Sequence, residues 1–366
     1  MKQNKLKILL VILVLGFVAL LIFGITILLW YNNNLKPVNK KISEENELIE
    51  VEIESGMGVA KIAELLEEKN VIKNADVMKI YSRLNNISGL QAGKYDLDNT
   101  ENMPTIIEHI VNGEVIDNQI KITFIEGKNM RWIAKKIAEN TNNTEEDVFN
   151  LLENEEFINS IIEKYWFLTD EIKDNRIYYP LEGYLLPDTY IFESKDVSVE
   201  SIFNVILNEM DSVLSEYKDK LPNNLTVHQM LTMASIAELE GKSDEDRAEI
   251  IGVFFNRIYS KMSLGSDVTT YYAFKVDMGD RNLTQKEINT ENPYNTRGPN
   301  MSGKIPVGPI SNPSKSAILA TINYKETDAY YFVADKNGKV YFTKSNSEHN
   351  SMINKLKKDG LWFNYE

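Results

Sequence analysis

The longest uncharged stretch of the chain runs through 23 residues, from Ile8 to Trp30. As a helix it would be about 35 Å long, enough to cross a hydrocarbon core of about 30 Å. A cleaved signal peptide is the alternative, but its apolar region is only about 7–15 residues long, and no small-residue cleavage site follows Trp30. We therefore predict a transmembrane helix, with residues 8–31 in contact with the lipid bilayer.

Lysines flank this stretch on both sides, and the terminal amine adds a positive charge before it. Three lysines precede the stretch and three follow it within a few turns: Lys2, Lys5, Lys7, Lys36, Lys40 and Lys41. The slight positive excess on the N-terminal side favours a cytoplasmic N-terminus and an extracytoplasmic remainder. We assign the cytoplasmic tip and membrane helix to 1–31 and a polar linker to 32–48.

A strand pattern followed by a helix pattern occurs twice after the linker. Residues 51–56 alternate as a strand, end at Gly56 and continue in a helical period. The same order returns 71 residues later, with Gly127 in place of Gly56. This repetition predicts a duplicated strand–turn–helix unit, with its second copy at 120–140.

The remaining patterns predict a mixed α+β fold. Residues 144–220 are mainly helical and contain an aromatic insert at 178–192, and two consecutive helices follow at 226–261. A loop at 293–313 holds five of the ten prolines, and 330–342 reads as a hairpin that turns at Asn-Gly. We divide the part after the linker into a small α/β subdomain at 49–116 and a larger α+β domain at 117–366.

Composition excludes several classes of function. The chain has 40 Lys+Arg and 54 Asp+Glu, a net charge of −14, which makes nucleic acid a poor partner. It has no Cys, so disulfides, thiolate nucleophiles and Cys-ligated metals are excluded. The three histidines, His109, His228 and His349, are scattered. We predict no cofactor and no metal; a carboxylate-bound ion is the alternative.

One carboxylate continues an apolar stripe. The segment from Thr226 to Glu240 begins with a Thr-x-x-Gln capping box and stops at Gly241. At 100° per residue, Glu238 lies on the same side as Leu231 and Ala234. Burial there would raise the pKa of Glu238, as a general acid for glycosidic cleavage requires. The alternative is a glutamate at a helix end that reaches water or a lysine.

A second carboxylate is not identified by spacing. Glu240 lies about 160° round the helix from Glu238, so the two do not face one substrate together. A two-carboxylate hydrolase would need a partner from Glu182, Asp188 or Asp267, and no pattern favours one of them.

Several polar and aromatic residues are candidates for substrate contacts. Glu182, Tyr184 and Asp188 lie in the aromatic insert, which suits sugar hydroxyls and ring stacking, or alternatively forms a packed turn. Further candidates are amide, guanidinium, carboxylate and phenol groups in the later segments: Asn256, Arg257, Asp267, Tyr294, Asn295 and Arg297. His349 is a weaker candidate, and His109 and His228 are expected to be structural or on the surface.

The order of these motifs resembles the YceG-like endolytic murein transglycosylases. The matching segments follow an apolar N-terminal helix and a strand–glycine–helix unit resembling a LysM-like subdomain: LEGYLLPDTY at 181–190, MASIAELE at 233–240, FFNRI at 254–258, LGSDVTTYYA at 264–273, NPYNTR at 292–297, PVGPISNPS at 306–314 and EHN at 348–350. The resemblance covers nearly the whole chain after the linker.

The resemblance implies an enzyme that cuts peptidoglycan glycan strands between N-acetylmuramic acid and N-acetylglucosamine. It implies that Glu238 is the catalytic acid and that the product ends in a 1,6-anhydro sugar. It also implies work beside cell-wall synthesis proteins at the cell membrane. The alternatives are a muramidase that hydrolyses the same bond and a non-catalytic peptidoglycan-binding scaffold.

Overall fold

The computed structural model describes residues 2–39, 48–115 and 118–362, and the chain forms two compact units, 1–117 and 118–366. Residues 40–47 of the predicted linker lie outside the described residues. Each unit has its own hydrophobic core, and both units contain helices and strands. The mixed α+β fold predicted from the sequence is confirmed.

The apolar N-terminal stretch forms one helix, α1, at Lys2–Asn34. Within the described ranges it is the only helix long and apolar enough to cross a membrane, and its apolar side chains are exposed. The helix continues three residues beyond the predicted end. Tyr31 and Leu35 already pack against the core of the first unit, and the carbonyl of Leu35 accepts a hydrogen bond from the Met103 amide at 3.0 Å. The start of the predicted linker is therefore attached to this unit.

The first unit pairs two strands and packs three helices around them. Its elements are β1 at Ile49–Ile53, α2 at Val59–Glu68, α3 at Ala75–Leu84, β2 at Gly93–Leu97 and α4 at Met103–Asn112. The strands are antiparallel, with Val51 opposite Tyr95, and both of these side chains are buried. The description of this unit as LysM-like stays a prediction.

The second unit contains four strands and ten helices longer than a 3₁₀ turn in its described part. They are β3 at Ile120–Thr123, α5 at Met130–Asn140, α6 at Glu145–Glu153, α7 at Glu155–Lys164, β4 at Thr189–Phe192, α8 at Val199–Ser215, α9 at Val227–Glu240, α10 at Asp244–Tyr259, α11 at Asp267–Ala273, α12 at Gln285–Ile288, α13 at Lys315–Ile322, β5 at Tyr331–Ala334, β6 at Val340–Thr343 and α14 at Asn346–Lys358. The predicted helix pair and hairpin are both present, as α9–α10 and β5–β6.

Both copies of the strand–turn–helix repeat form as predicted, but their strands have different partners. Gly56 and Gly127 turn the chain with φ of 86° and 71°, a region that favours glycine. The strand of the first copy, β1, pairs with β2 in the first unit. The strand of the second copy, β3, pairs with β4 at the end of the aromatic insert, with Ile122 opposite Tyr190. The repeat is therefore local.

Helix α9 is buried on nearly all sides. Thr226 and Gln229 form the predicted capping box, and the residues from Val227 to Ala237 are buried except Gln229. One side of α9 packs into a core with α5 and α8, and the other into a core with α10 and α11. Because apolar residues surround this helix, no single apolar stripe tells which way its last residues point.

Candidate active site

A cleft of about 560 Å³ lies beside the C-terminal end of α9. Charged and aromatic side chains from six separate segments line it: Glu240, Arg257, Asp267, Arg297, Tyr331 and His349. All of them except Arg297 lie at the ends or in the first turns of helices and strands, so a rigid scaffold holds the groups in place. The cleft combines two acids, two arginines and two flat rings.

Glu240 is one of two carboxylates that line this cleft. The Ser266 hydroxyl donates a hydrogen bond to its Oε1 at 2.5 Å. Burial raises the pKa of Glu240 above its ordinary value; nearby Asp267 acts in the same direction, while the Ser266 hydrogen bond and Arg297 act against it. A carboxyl that keeps its proton more readily than usual is suited to act as a general acid.

Glu238 is held by other parts of the protein and does not line the cleft. Arg247 Nη2 lies 2.8 Å from its Oε1, and Ser314 donates to Oε2 from both its backbone amide, at 2.9 Å, and its hydroxyl. Its side chain is only 7% exposed. The predicted burial is confirmed, but the surroundings are donors rather than an apolar groove. Glu238 connects α9 to α10 and to the start of α13.

Asp267 and Arg297 form an ion pair on the wall of the cleft. Both side chains are substantially exposed, 55% and 40%, so both are open to a ligand. The structure therefore brings these two predicted residues together with Glu240. Their role in substrate binding stays a prediction.

Arg257 and His349 line the same cleft beside Tyr331. Arg257 donates to the carbonyls of Tyr330 and Leu264, each at 2.6 Å, and its guanidinium lies over the Tyr331 ring. The centroid of the His349 ring lies 5.5 Å from that of the Tyr331 ring. Burial, and then Arg257, lower the pKa of His349. A neutral imidazole in the cleft is therefore favoured.

Four predicted substrate contacts are instead buried inside the protein. Glu182, Tyr184, Tyr294 and Asn295 are at most 1% exposed. Tyr184 bonds to His228 Nδ1 at 2.9 Å, and Tyr294 accepts a hydrogen bond from the Tyr178 amide at 3.2 Å. Asn295 donates to three backbone carbonyls, two in α12 and one just after it. The expectation that these four side chains touch substrate is corrected, because packing leaves no surface for a ligand.

Glu182 joins three segments of the second unit. Its oxygens accept hydrogen bonds from the Met130 amide at 3.0 Å, the Tyr272 hydroxyl at 2.9 Å and Asn312 Nδ2 at 3.0 Å. Burial raises the pKa of Glu182 to about 7, although these hydrogen bonds act against it. This carboxyl therefore caps the start of α5 and links it to α11 and to the loop before α13.

Asn256 and Asp188 also lie outside the cleft. Asn256 donates to the carbonyls of Thr327 and Ala329 and so attaches α10 to the segment before β5. Asp188 is exposed at the start of β4 and accepts a hydrogen bond from the Thr189 amide at 2.6 Å. Neither residue lines the Glu240 cleft, and their role as substrate contacts stays a prediction.

The sequence analysis missed Glu240, Ser266 and Arg247. Glu240 was set aside because it lies on the opposite side of α9 from Glu238, and that separation is correct. Helix periodicity alone does not tell which side faces the cleft, since α9 is buried on both sides, and the catalytic role of Glu238 stays a prediction. Among the residues that the structure describes, no group of three or more His, Asp or Glu side chains is arranged to hold a metal ion.

Comparison with known proteins connects this site to a family. A model of the YceG-like family matches residues 51–355. The chain is similar to the endolytic murein transglycosylase of Bacillus subtilis (strain 168), with 36% identity over 318 residues that cover 86% of each chain. It is 31% identical to the endolytic murein transglycosylase of Streptococcus pneumoniae serotype 2 (strain D39 / NCTC 7466) over 338 residues, which cover 88% of this chain and 60% of that relative.

A solved structure has the same fold. The crystal structure of a YceG-like protein from Listeria monocytogenes matches with a TM-score of 0.59 and 35% sequence identity, and the match covers 84% of this chain and all of that one. The family match extends over most of both units, including every residue that lines the Glu240 cleft up to His349. The chain therefore belongs to the YceG-like family.

Proposed function

We propose that this protein is a membrane-anchored lytic transglycosylase, with Glu240 as the acid that cuts peptidoglycan glycan strands. The bond cut is the one between N-acetylmuramic acid and N-acetylglucosamine. The names of the relatives support the substrate and the class of reaction. The observation that carries the assignment of the acid is the position of Glu240, partly exposed in a cleft and with a raised pKa.

The chemistry needs one carboxyl that acts twice. Glu240 gives its proton to the glycosidic oxygen as the bond from that oxygen to the anomeric carbon breaks. The sugar's own 6-hydroxyl then bonds to the anomeric carbon and gives its proton to the Glu240 carboxylate. The product ends in a 1,6-anhydro ring, and no water is consumed. A nucleophile within the same sugar has a high effective concentration, so a second protein carboxylate is unnecessary.

Glu238 remains the position that the family resemblance selects for this role. Its oxygens are engaged by Arg247 and Ser314, and a substrate would have to displace these donors to reach it. Glu240 has one hydrogen-bond donor, Ser266, and an open cleft beside it. The geometry therefore favours Glu240.

Asp267 supports an alternative, the muramidase reaction. It lines the same cleft as Glu240, and a hydrolase of this bond would use two carboxylates. Its ion pair with Arg297 favours a structural or binding role instead. The two reactions differ in product, because an anhydro end lacks one water relative to a reducing end.

The cellular setting follows from α1. Its length and apolar surface support a single-pass anchor that keeps the second unit outside the cytoplasm and near the bilayer. Within this proposal, the substrate is newly made glycan and the partners are cell-wall synthesis proteins. The LysM-like first unit would bind the same polymer.

The direct test is digestion of purified glycan strands by the full chain in detergent, with mass spectrometry of the new ends. Anhydro ends from the wild-type protein, and their loss in Glu240→Gln, would support the proposal. Reducing ends would favour the muramidase, and intact strands with retained binding would favour a scaffold.

A further inference from the structure

A second cavity, of about 190 Å³, adjoins the end of α9 on another side from the Glu240 cleft. Leu239, the neighbour of Glu240, lines this second cavity, and Val268 lines both. The two spaces therefore adjoin at Val268 and at the last two residues of α9. We call the second one the Trp132 cavity, after the indole that forms one of its walls.

The Trp132 cavity has the lining of a sugar site. The Trp132 and Tyr271 rings are both partly exposed, and Met278 is 51% exposed at its edge. Lys128 and Asn129 add polar groups. Flat rings with a few polar groups suit a pyranose, which has an apolar C–H face and a rim of hydroxyls.

The walls of this cavity are fixed before any ligand arrives. Arg131 Nη2 lies 2.6 Å from Asp277 Oδ1, which ties the start of α5 to the loop after α11. Beneath them, Glu182 joins the Met130 amide to the Tyr272 hydroxyl. Gly127 allows close approach, since a Cβ there would lie 3.0 Å from Leu239 Cδ2. A cavity held in this way binds without first having to order its walls.

We propose that the Trp132 cavity binds one saccharide unit of the glycan strand, beside the unit whose bond Glu240 cuts. This inference rests on the proposed function and adds where the strand runs. An enzyme that cuts within a strand must hold sugars on both sides of the broken bond. The Glu240 cleft holds the sugar on one side of the bond. The Trp132 cavity, which is lined by the preceding residue Leu239, holds the sugar on the other side.

The test compares three variants of the full chain in detergent, acting on glycan oligomers of defined length. Trp132→Ala is expected to raise KM about tenfold, with kcat nearly unchanged, because stacking on the ring contributes to binding. It is also expected to shift the position of the cut along the oligomer. Tyr271→Ala should act in the same direction. The Tyr271 side chain does not belong to the described hydrophobic cores, so this change does not threaten the fold.

Trp166→Ala is the matched control. Trp166 is partly buried against the same core as Trp132, and its indole donates to Asp211 at 2.8 Å, away from both cavities. It should keep the wild-type KM and cutting positions. Wild-type KM and cutting positions in both Trp132→Ala and Tyr271→Ala would overturn the subsite while leaving the proposed function intact. Absence of cleavage by the wild-type protein would instead overturn the proposed function.

Discussion

Glu238 and Arg247 form a buried ion pair, with Arg247 Nη2 2.8 Å from Glu238 Oε1 and side-chain exposures of 7% and 14%. The pair connects the last turn of α9 to the first turn of α10. Ser314 adds two donors to the same carboxylate from the start of α13. Three helices are thus joined at Glu238, whereas Glu240 lines the cleft.

Removal of the arginine should destabilise the second unit. Arg247→Ala leaves the Glu238 carboxylate buried without its partner, which we expect to lower the free energy of unfolding by about 3–5 kcal/mol. Urea denaturation followed by circular dichroism measures this. Arg176→Ala is the control, because the Arg176–Asp174 pair is on the surface, and it should change little. Equal urea midpoints for both variants would contradict a supporting role for the Glu238 pair.

The two glutamates should separate in their effects. Glu240→Gln removes the proton donor and should lower kcat by about 10²–10⁴-fold, while the urea midpoint is kept. Glu238→Gln should lower the urea midpoint, because Arg247 loses its charged partner, yet retain most activity per folded molecule. Rates of glycan cleavage, normalised to folded protein, check both. Full activity in Glu240→Gln, with a folded but inactive Glu238→Gln, would return the catalytic role to Glu238.

Asp267 distinguishes the two reactions at this bond. In the transglycosylase, Asp267→Asn should retain cleavage, with a modest rise in KM, because Arg297 loses its ion-pair partner and can shift. In a muramidase that uses Asp267, cleavage should fall as far as in Glu240→Gln. Mass spectrometry of the ends provides a second, independent readout. Reducing ends from the wild-type protein, together with an inactive Asp267→Asn, would exclude the anhydro-forming mechanism.

Stability should depend on pH through Glu182. Its pKa is raised from 4.5 to about 7 in the folded protein, so the folded state holds this proton more tightly than the unfolded state does. The contribution is present below about pH 4.5 and is lost as the pH rises through about 7, by roughly 3 kcal/mol in all. Unfolding free energies of the wild type and Glu182→Gln between pH 4 and pH 8 measure the difference. An identical pH slope in both proteins would contradict this assignment.

Membrane attachment should depend on α1 alone. A chain that begins at Tyr31 lacks the apolar span but keeps Tyr31 and Leu35 against the core of the first unit. We expect it to be soluble and to cut isolated glycan at the wild-type rate, while the full chain sediments with membranes. Protease protection of the full chain in sealed vesicles reports its orientation. Sedimentation of the shortened chain with membranes would indicate a second attachment site.

The sequence by itself determined much of the local structure. The apolar run before Trp30, the capping box at Thr226 and the Asn-Gly turn of the β5–β6 hairpin all lie where their patterns predict. Such features depend on residues within a few positions of one another, so short-range geometry is enough to specify them. The family resemblance rests on motif order, and it too is readable from the sequence.

Only the tertiary structure decided which residues meet in the site. Glu240 and Leu239 are neighbours that face different cavities, and the residues opposite them, Arg297 and Trp132, come from far along the chain in either direction. Helix periodicity places Glu238 and Glu240 on different sides of α9. It does not tell which side faces the cleft, because hydrophobic cores lie on both sides of the helix. Burial of Glu182 and Tyr294 depends likewise on distant segments that close over them. Long-range packing, which has no period in sequence, therefore determined which residues line the cleft.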